Sequence, residues 1–223
     1  LRFRHAAYRV QPTTSTRRRS PAGGRPSLTA RSRMIDESRG PRGATTSTRR
    51  IDQVQNISRM CLVCGRDNPA GLHARYYELS PADPAASGAA TGPELLGVFH
   101  VREEHQSYPG RLHGGISSAI LDETIGRAIL LLEPGAWGVT VEFSARFRKP
   151  VLLDEEVRCV ARITRDTSRL FEGTGEILLS DGSVAVEGHG KYFKQSLEGI
   201  TDRGFVEREW FADPRDAPDR VDL

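Results

Sequence analysis

Residues 113–133 read HGGISSAILDETIGRAILLLE, and this stretch decides the fold. From His113 to Leu132 the residues are apolar on most sides, and Glu133-Pro134-Gly135 ends the run. Proline cannot continue a helix, and glycine suits the turn that follows one. The pattern predicts one long, largely enclosed helix over 113–132. Adjacent glycines at 114 and 115 allow close backbone approach. The first turn of a helix also presents N–H groups and the positive end of its dipole. Together they offer a place for an oxygen that is negative or becoming so. Asp122 and Glu123 then set two carboxylates in a segment otherwise built for burial. An oxyanion site with a costly carboxylate behind it points to acyl transfer.

Strands are expected on both sides of this helix. Before it, 72–79 and 94–101 suit strands, 80–93 and 102–112 read as loops, and 51–60 suits a short helix. After it the period becomes two. Val139, Val141, Phe143, Ala145 and Phe147 alternate with polar residues, which predicts a half-buried strand over 139–147. Further strands are expected over 155–166, 169–179 and 184–194, with a tight hairpin turn at Ser180-Asp181-Gly182-Ser183. Without strand–helix–strand alternation, this order predicts an α+β fold with an antiparallel sheet of about six strands.

Charge divides the 223 residues unevenly. Residues 1–50 hold thirteen Arg, one Asp and one Glu, a net charge of +11, while the remainder carries −8. The first fifty residues lack a sustained apolar period and are expected to be a disordered extension, preferably read as having no function of its own. Their composition also fits an organelle transit peptide or nonspecific binding to nucleic acid. Met34 and Met60 are alternative starts. The ordered domain is expected at 51–195, with a charged tail at 196–223 and a short helix near 203–211. No apolar run reaches the ~20 residues of a membrane span. Three cysteines make no disulfide framework, so a reducing cytoplasm is expected.

Four segments together resemble the hotdog-fold acyl-CoA thioesterases of the phenylacetate-degradation type. They are CLVCGRDNPAGL, HQSYPGRLHGGISSAILDETIGRA, WGVTVEFSARFRKPV and SDGSVAVEGHGKYF, within about residues 60–195. The resemblance implies a sheet wrapped around a central helix, dimers or tetramers, and hydrolysis of an acyl-CoA without metal or cofactor. On the matching positions it makes Asp122 the nucleophile or general base. Gly114 becomes the oxyanion donor, with Gly115 as second candidate and His113 in support. It places Thr140 near the attacking water. Ser107 stands where related enzymes often carry an amide, so Gln106 is a candidate substitute.

The residues themselves separate the two acids. Glu123 has Arg127 four positions on, an i,i+4 ion-pair spacing, whereas Asp122 has no basic partner at that distance. Asp122 is therefore preferred, with Glu123 left as a substrate-contacting candidate. Eight residues separate Gly114 from Asp122, which is ~12 Å along a helix. Both groups must lie about 3 Å from one reacting centre. One helix cannot do this, so a homodimer with two composite sites is expected. Arg146, Arg148 and Lys149 form a basic cluster that could meet CoA phosphates, with a solvated strand end as the plainer reading. Cys61 and Cys64 form a lone C-x-x-C, and no metal site is expected because two further ligands at a characteristic spacing are missing. The alternative function is a hotdog module that binds acyl-CoA without hydrolysis. A nucleic-acid role through the basic extension is not expected.

Overall fold

A computed structural model describes residues 48–81, 92–201 and 204–223. Most of the expected extension, 1–47, and most of the expected loop, 82–91, lie outside the described residues. In chain order the elements are β1 (Thr48–Val54), β2 (Ile57–Ser58), β3 (Arg75–Leu79), β4 (Glu94–His100) and α1 (Gly114–Arg127). They continue with β5 (Trp137–Phe147), β6 (Glu156–Asp166), β7 (Leu170–Leu178) and β8 (Val184–Gln195). The chain closes with α2 (Leu197–Ile200), α3 (Phe205–Glu209), β9 (Trp210–Phe211) and β10 (Arg220–Asp222). The helix continues as a single 3-10 turn over Ala128–Leu131, close to its expected end.

The six expected strands form the middle and one edge of an antiparallel sheet ordered β10-β1-β3-β4-β6-β7-β8-β5. Eight strands replace about six because β1 and β10 extend the β3 edge. Residues 51–54 and 57–58 are therefore strand and 51–60 holds no helix, and β1 takes in Thr48, Arg49 and Arg50 of the expected extension. The reason is non-local. Ile51 and Val54 pair with Leu79 and Tyr77, and this pairing outweighs a short helical preference.

One face of α1 lies on the sheet, burying Ile120, Leu121, Thr124 and Ile125 beside Val157, Cys159, Ala161, Phe171 and Tyr192. Glycines make this approach possible. A Cβ at Gly175 or Gly188 would lie 3.0–3.3 Å from side-chain carbons of Leu121 or Ile125. The opposite face of α1 is half-buried at Ile116, Ala119, Asp122 and Glu123, so within one chain the helix is largely but not fully enclosed, as expected. A second apolar cluster covers the other face of the sheet, where Ile51, Val54 and Val221 pack on Tyr77, Leu79 and Leu96.

Strand β5 departs from its expected alternation. Val139, Val141 and Phe147 are 42%, 56% and 55% exposed, and Phe143 and Ala145 alone of the five are partly buried against the core. A bulge explains the first two. Thr140 pairs with Tyr192 and Glu142 with Lys191, leaving Val141 as the extra residue. An inserted residue reverses the facing of everything beyond it. Thr140 thus shares the inward face of buried Tyr192, while Phe143 and Ala145 resume that face after the bulge. Phe147 is exposed because β5 is the sheet edge and its end reaches only the start of α1.

Candidate active site

His113 caps α1. Its Nδ1 accepts the Gly115 N–H at 2.8 Å, and its carbonyl accepts from Ile116 and Ser117 at 2.9 and 3.0 Å. The Gly115 N–H is thus engaged within the helix cap. A Cβ there would also crowd His113 Nδ1 at 3.0 Å. The Gly114 N–H has no acceptor among the described residues. Gly114 lines a cavity of about 320 Å³ with Phe147, Arg148 and Lys149.

Asp122 sits two turns further along α1, in a different cavity of about 380 Å³. Its Oδ1 accepts from Thr140 Oγ1 at 2.9 Å and from the Tyr192 hydroxyl at 3.2 Å. The same hydroxyl lies 2.9 Å from the Asp122 carbonyl oxygen. Burial, and then the neighbouring Asp122, push the Tyr192 phenol well above its ordinary pKa, so it remains a donor. Oδ2 has no partner among the described residues. Tyr192 was missed in the sequence. The signal was its inward parity on β8, legible only once its pairing with Thr140 is known.

Glu123 turns from Asp122 into a buried cluster. Its Oε1 accepts from Arg127 Nε at 3.0 Å, confirming the i,i+4 pair, and its Oε2 accepts from the Cys61 thiol at 3.2 Å. Arg127 also donates to the Asn56 carbonyl at 2.9 Å and to Cys64 Sγ at 3.0 Å. Its guanidinium lies between the rings of Tyr76 and Trp210, at 4.2 and 4.7 Å. One sulfur or oxygen from each of Cys61, Cys64 and Glu123 falls within 4.8 Å of the others, a possible trio of metal ligands. A buried guanidinium already bonded to two of the three opposes a second positive charge there, and the trio does not fit a metal.

The remaining candidates lie apart from Asp122. Gln106 and Ser107 are exposed on the loop before α1 and line neither cavity of this chain. Arg148 is held by Glu187 through two bonds of 2.7 Å, and Lys149 donates to Ser183 Oγ at 2.8 Å. Arg146 is exposed on β5.

The sequence profile of the thioesterase superfamily matches residues 109–186, the span from the loop before α1 into β8. Acyl-coenzyme A thioesterase 13 of Homo sapiens is 33% identical over 97 residues, covering 44% of this chain and 69% of that protein. The Pongo abelii protein of the same name matches equally. The chain belongs to the thioesterase superfamily. A solved thioesterase superfamily protein shares the fold, with a TM-score of 0.50 and 25% identity over 60% of each chain. The α+β architecture is accordingly the hotdog fold, and membership makes the protein a thioester hydrolase. Among the described residues no helix is long and apolar enough to cross a membrane.

Proposed function

We propose that this protein hydrolyses an acyl-CoA to a carboxylic acid and free CoA, at sites shared between two copies of the chain. The observation that carries this reading is the division of labour at Asp122: Oδ1 is fixed by Thr140 and Tyr192, and Oδ2 is free in a cavity. That oxygen either takes a proton from water, whose oxygen adds to the thioester carbon, or attacks that carbon itself. In both routes the carbonyl oxygen becomes negative and needs a donor. The Gly114 N–H at the α1 N-terminus is suited to it. The C–S bond then breaks and the sulfur takes up a proton; on the second route water then cleaves the acyl–Asp122 anhydride, releasing the acid and restoring the carboxylate.

Gly114 and Asp122 of one chain line different cavities, which supports pairing each with the other group from a second copy. The half-buried outer face of α1 and the apolar edge of β5, unpaired among the described residues, offer surfaces for that copy. The HGG motif, with an Asp nine residues after its His, supports the phenylacetate-degradation subgroup. The CoA end would lie toward Arg148 and Lys149, near Gly114. Three free cysteines suit a reducing compartment such as the cytoplasm.

Complementation tests the composite site. Gly114→Pro removes the one N–H while keeping a residue favoured at the first helical position. His113 already has the extended backbone a following proline requires (φ −67°, ψ 134°). Gly114→Pro and Asp122→Asn should each abolish thiol release from an acyl-CoA panel. After co-refolding at equal amounts, half the dimers are mixed and each has one intact site, so about a quarter of the activity should return. No recovery despite mixed dimers would refute the shared site. Tight acyl-CoA binding with no turnover would instead mark a binding module.

A further inference from the structure

We infer that the segment 204–211, beyond the end of the family match at residue 186, walls the acyl pocket and selects neutral, apolar acyl groups. This rests on the thioesterase reading of Asp122. The cavity that holds Asp122, Thr140 and Tyr192 is also lined by Trp137, Phe205 and Trp210. These rings form one cluster. Trp137 meets Phe205 edge-on at 5.8 Å and Trp210 at 4.9 Å.

The wall is anchored to the thioesterase body by several contacts. Strand β9 pairs with β2 through Ser58↔Trp210 and Ile57↔Phe211. Arg59 donates to Glu209 at 2.7 Å, and Arg66 stacks on Phe211 at 4.1 Å. Trp210 covers the buried Arg127. A ligand starting at Asp122 therefore runs into an aromatic surface held in place from behind.

The charges in the cavity set the chemical class. Those lining it are Asp122, Glu123 and Arg127. Arg127 already donates to Glu123, Asn56 and Cys64 and lies between two rings, so among the described residues no lining cation is left unpaired for an anionic acyl terminus. A carboxylate at the far end of the acyl group would meet net negative charge and apolar rings. A hydrocarbon end gains from both.

Two measurements test this. Both tryptophans of the chain line the cavity, so intrinsic fluorescence reports occupancy without catalysis. The first measurement is a titration with neutral straight-chain alkanamides from butanamide to decanamide, and the second is kcat/KM for the matching acyl-CoAs with succinyl- and glutaryl-CoA beside them. Affinity and kcat/KM should rise about fourfold per added methylene until the pocket is filled. The dicarboxylic thioesters should be at least about tenfold poorer than neutral ones of equal length. Phe205→Ala, which removes a ring that touches the other two, should move the plateau to longer chains. Trp210→Phe is a milder second variant that keeps a ring over Arg127.

Hydrolysis with profiles that superpose in parent and variants would overturn the wall and leave the thioesterase reading intact. Length-dependent fluorescence that changes in Phe205→Ala, without turnover of any thioester, would support the wall and overturn the catalytic reading. Fluorescence indifferent to alkanamide length would overturn the wall whatever the turnover.

Discussion

Replacing Arg127 by methionine should destabilise the fold by about 3 kcal/mol and reveal which of the two adjacent acids belongs to the chemistry. The Arg127 and Glu123 side chains are 8% and 21% exposed, with 3.0 Å between Nε and Oε1. Removing one member of a buried ion pair costs about 3–5 kcal/mol, because the other charge is stranded. Glu123 keeps some contact with water, which places the loss at the low end. Methionine fills much of the arginine stem's volume, so little cavity is added. The Asn56 carbonyl also loses its donor. For a domain of this size about 1 kcal/mol shifts Tm by ~2–4 °C, so about 6–12 °C is expected in thermal unfolding followed by circular dichroism. Adding Glu123→Gln removes the stranded charge, and the double variant should regain more than half of the loss. Its thioesterase turnover should stay within about tenfold of the parent, whereas Asp122→Asn should lose about 10²–10⁴-fold. A Tm unchanged by Arg127→Met would refute the buried-pair argument. A double variant as inactive as Asp122→Asn, but folded, would move the chemistry to Glu123.

Thr140→Val and Tyr192→Phe each remove one hydroxyl from Asp122 Oδ1. Each should lower kcat more than it raises KM, and the double variant should lose less than the product of the single effects, since both hold one oxygen. Gly173→Ala should destabilise by about 1–3 kcal/mol in urea unfolding, because its Cβ would stand 2.9 Å from the Arg162 carbonyl and 2.7 Å from Ile125 Cγ2. Alkylation with iodoacetamide near pH 8, read by peptide mass spectrometry, should label Cys61 first. A hydrogen bond from Cys64 lowers its pKa, while burial pushes the Cys159 thiol up to about 12. Cys159 labelled as fast as Cys61 in folded protein would contradict that order.

What could be read in the sequence was local. The α1 helix, its His113 start and its proline-glycine stop follow from apolar periodicity and capping chemistry. Strands β4, β6, β7 and β8 fall within a residue or two of their expected bounds, since each carries its own period and is flanked by turn residues. The Glu123–Arg127 pair was legible for the same reason: its spacing lies within one helix. What was not legible depends on partners far along the chain. Strand β1 is a strand because β3 and β10 take up its hydrogen bonds, and β10 lies some 170 residues away, Thr48 facing Asp222. Phe205 and Trp210 are ordinary aromatic residues of a charged tail until β9 finds β2. Tyr192 looks like one more inward strand residue until its hydroxyl is seen to face Asp122.

The bulge at Val141 shows why one missed local feature reached into the site. Had β5 alternated without interruption, Val139 and Val141 would share the inward face of Phe143 and Ala145, and Thr140 would point to solvent. With one residue inserted, Thr140 turns toward α1 and bonds Asp122, while Val139 and Val141 are left outside. The residue shift that completes the carboxylate's support is thus the one that strips the strand edge of cover. An exposed apolar edge is costly to leave open in water. In the proposed dimer a second chain would cover it and bring a Gly114 N–H toward this Asp122. In that dimer, the support of the acid and the covering of the edge would both follow from the same inserted valine.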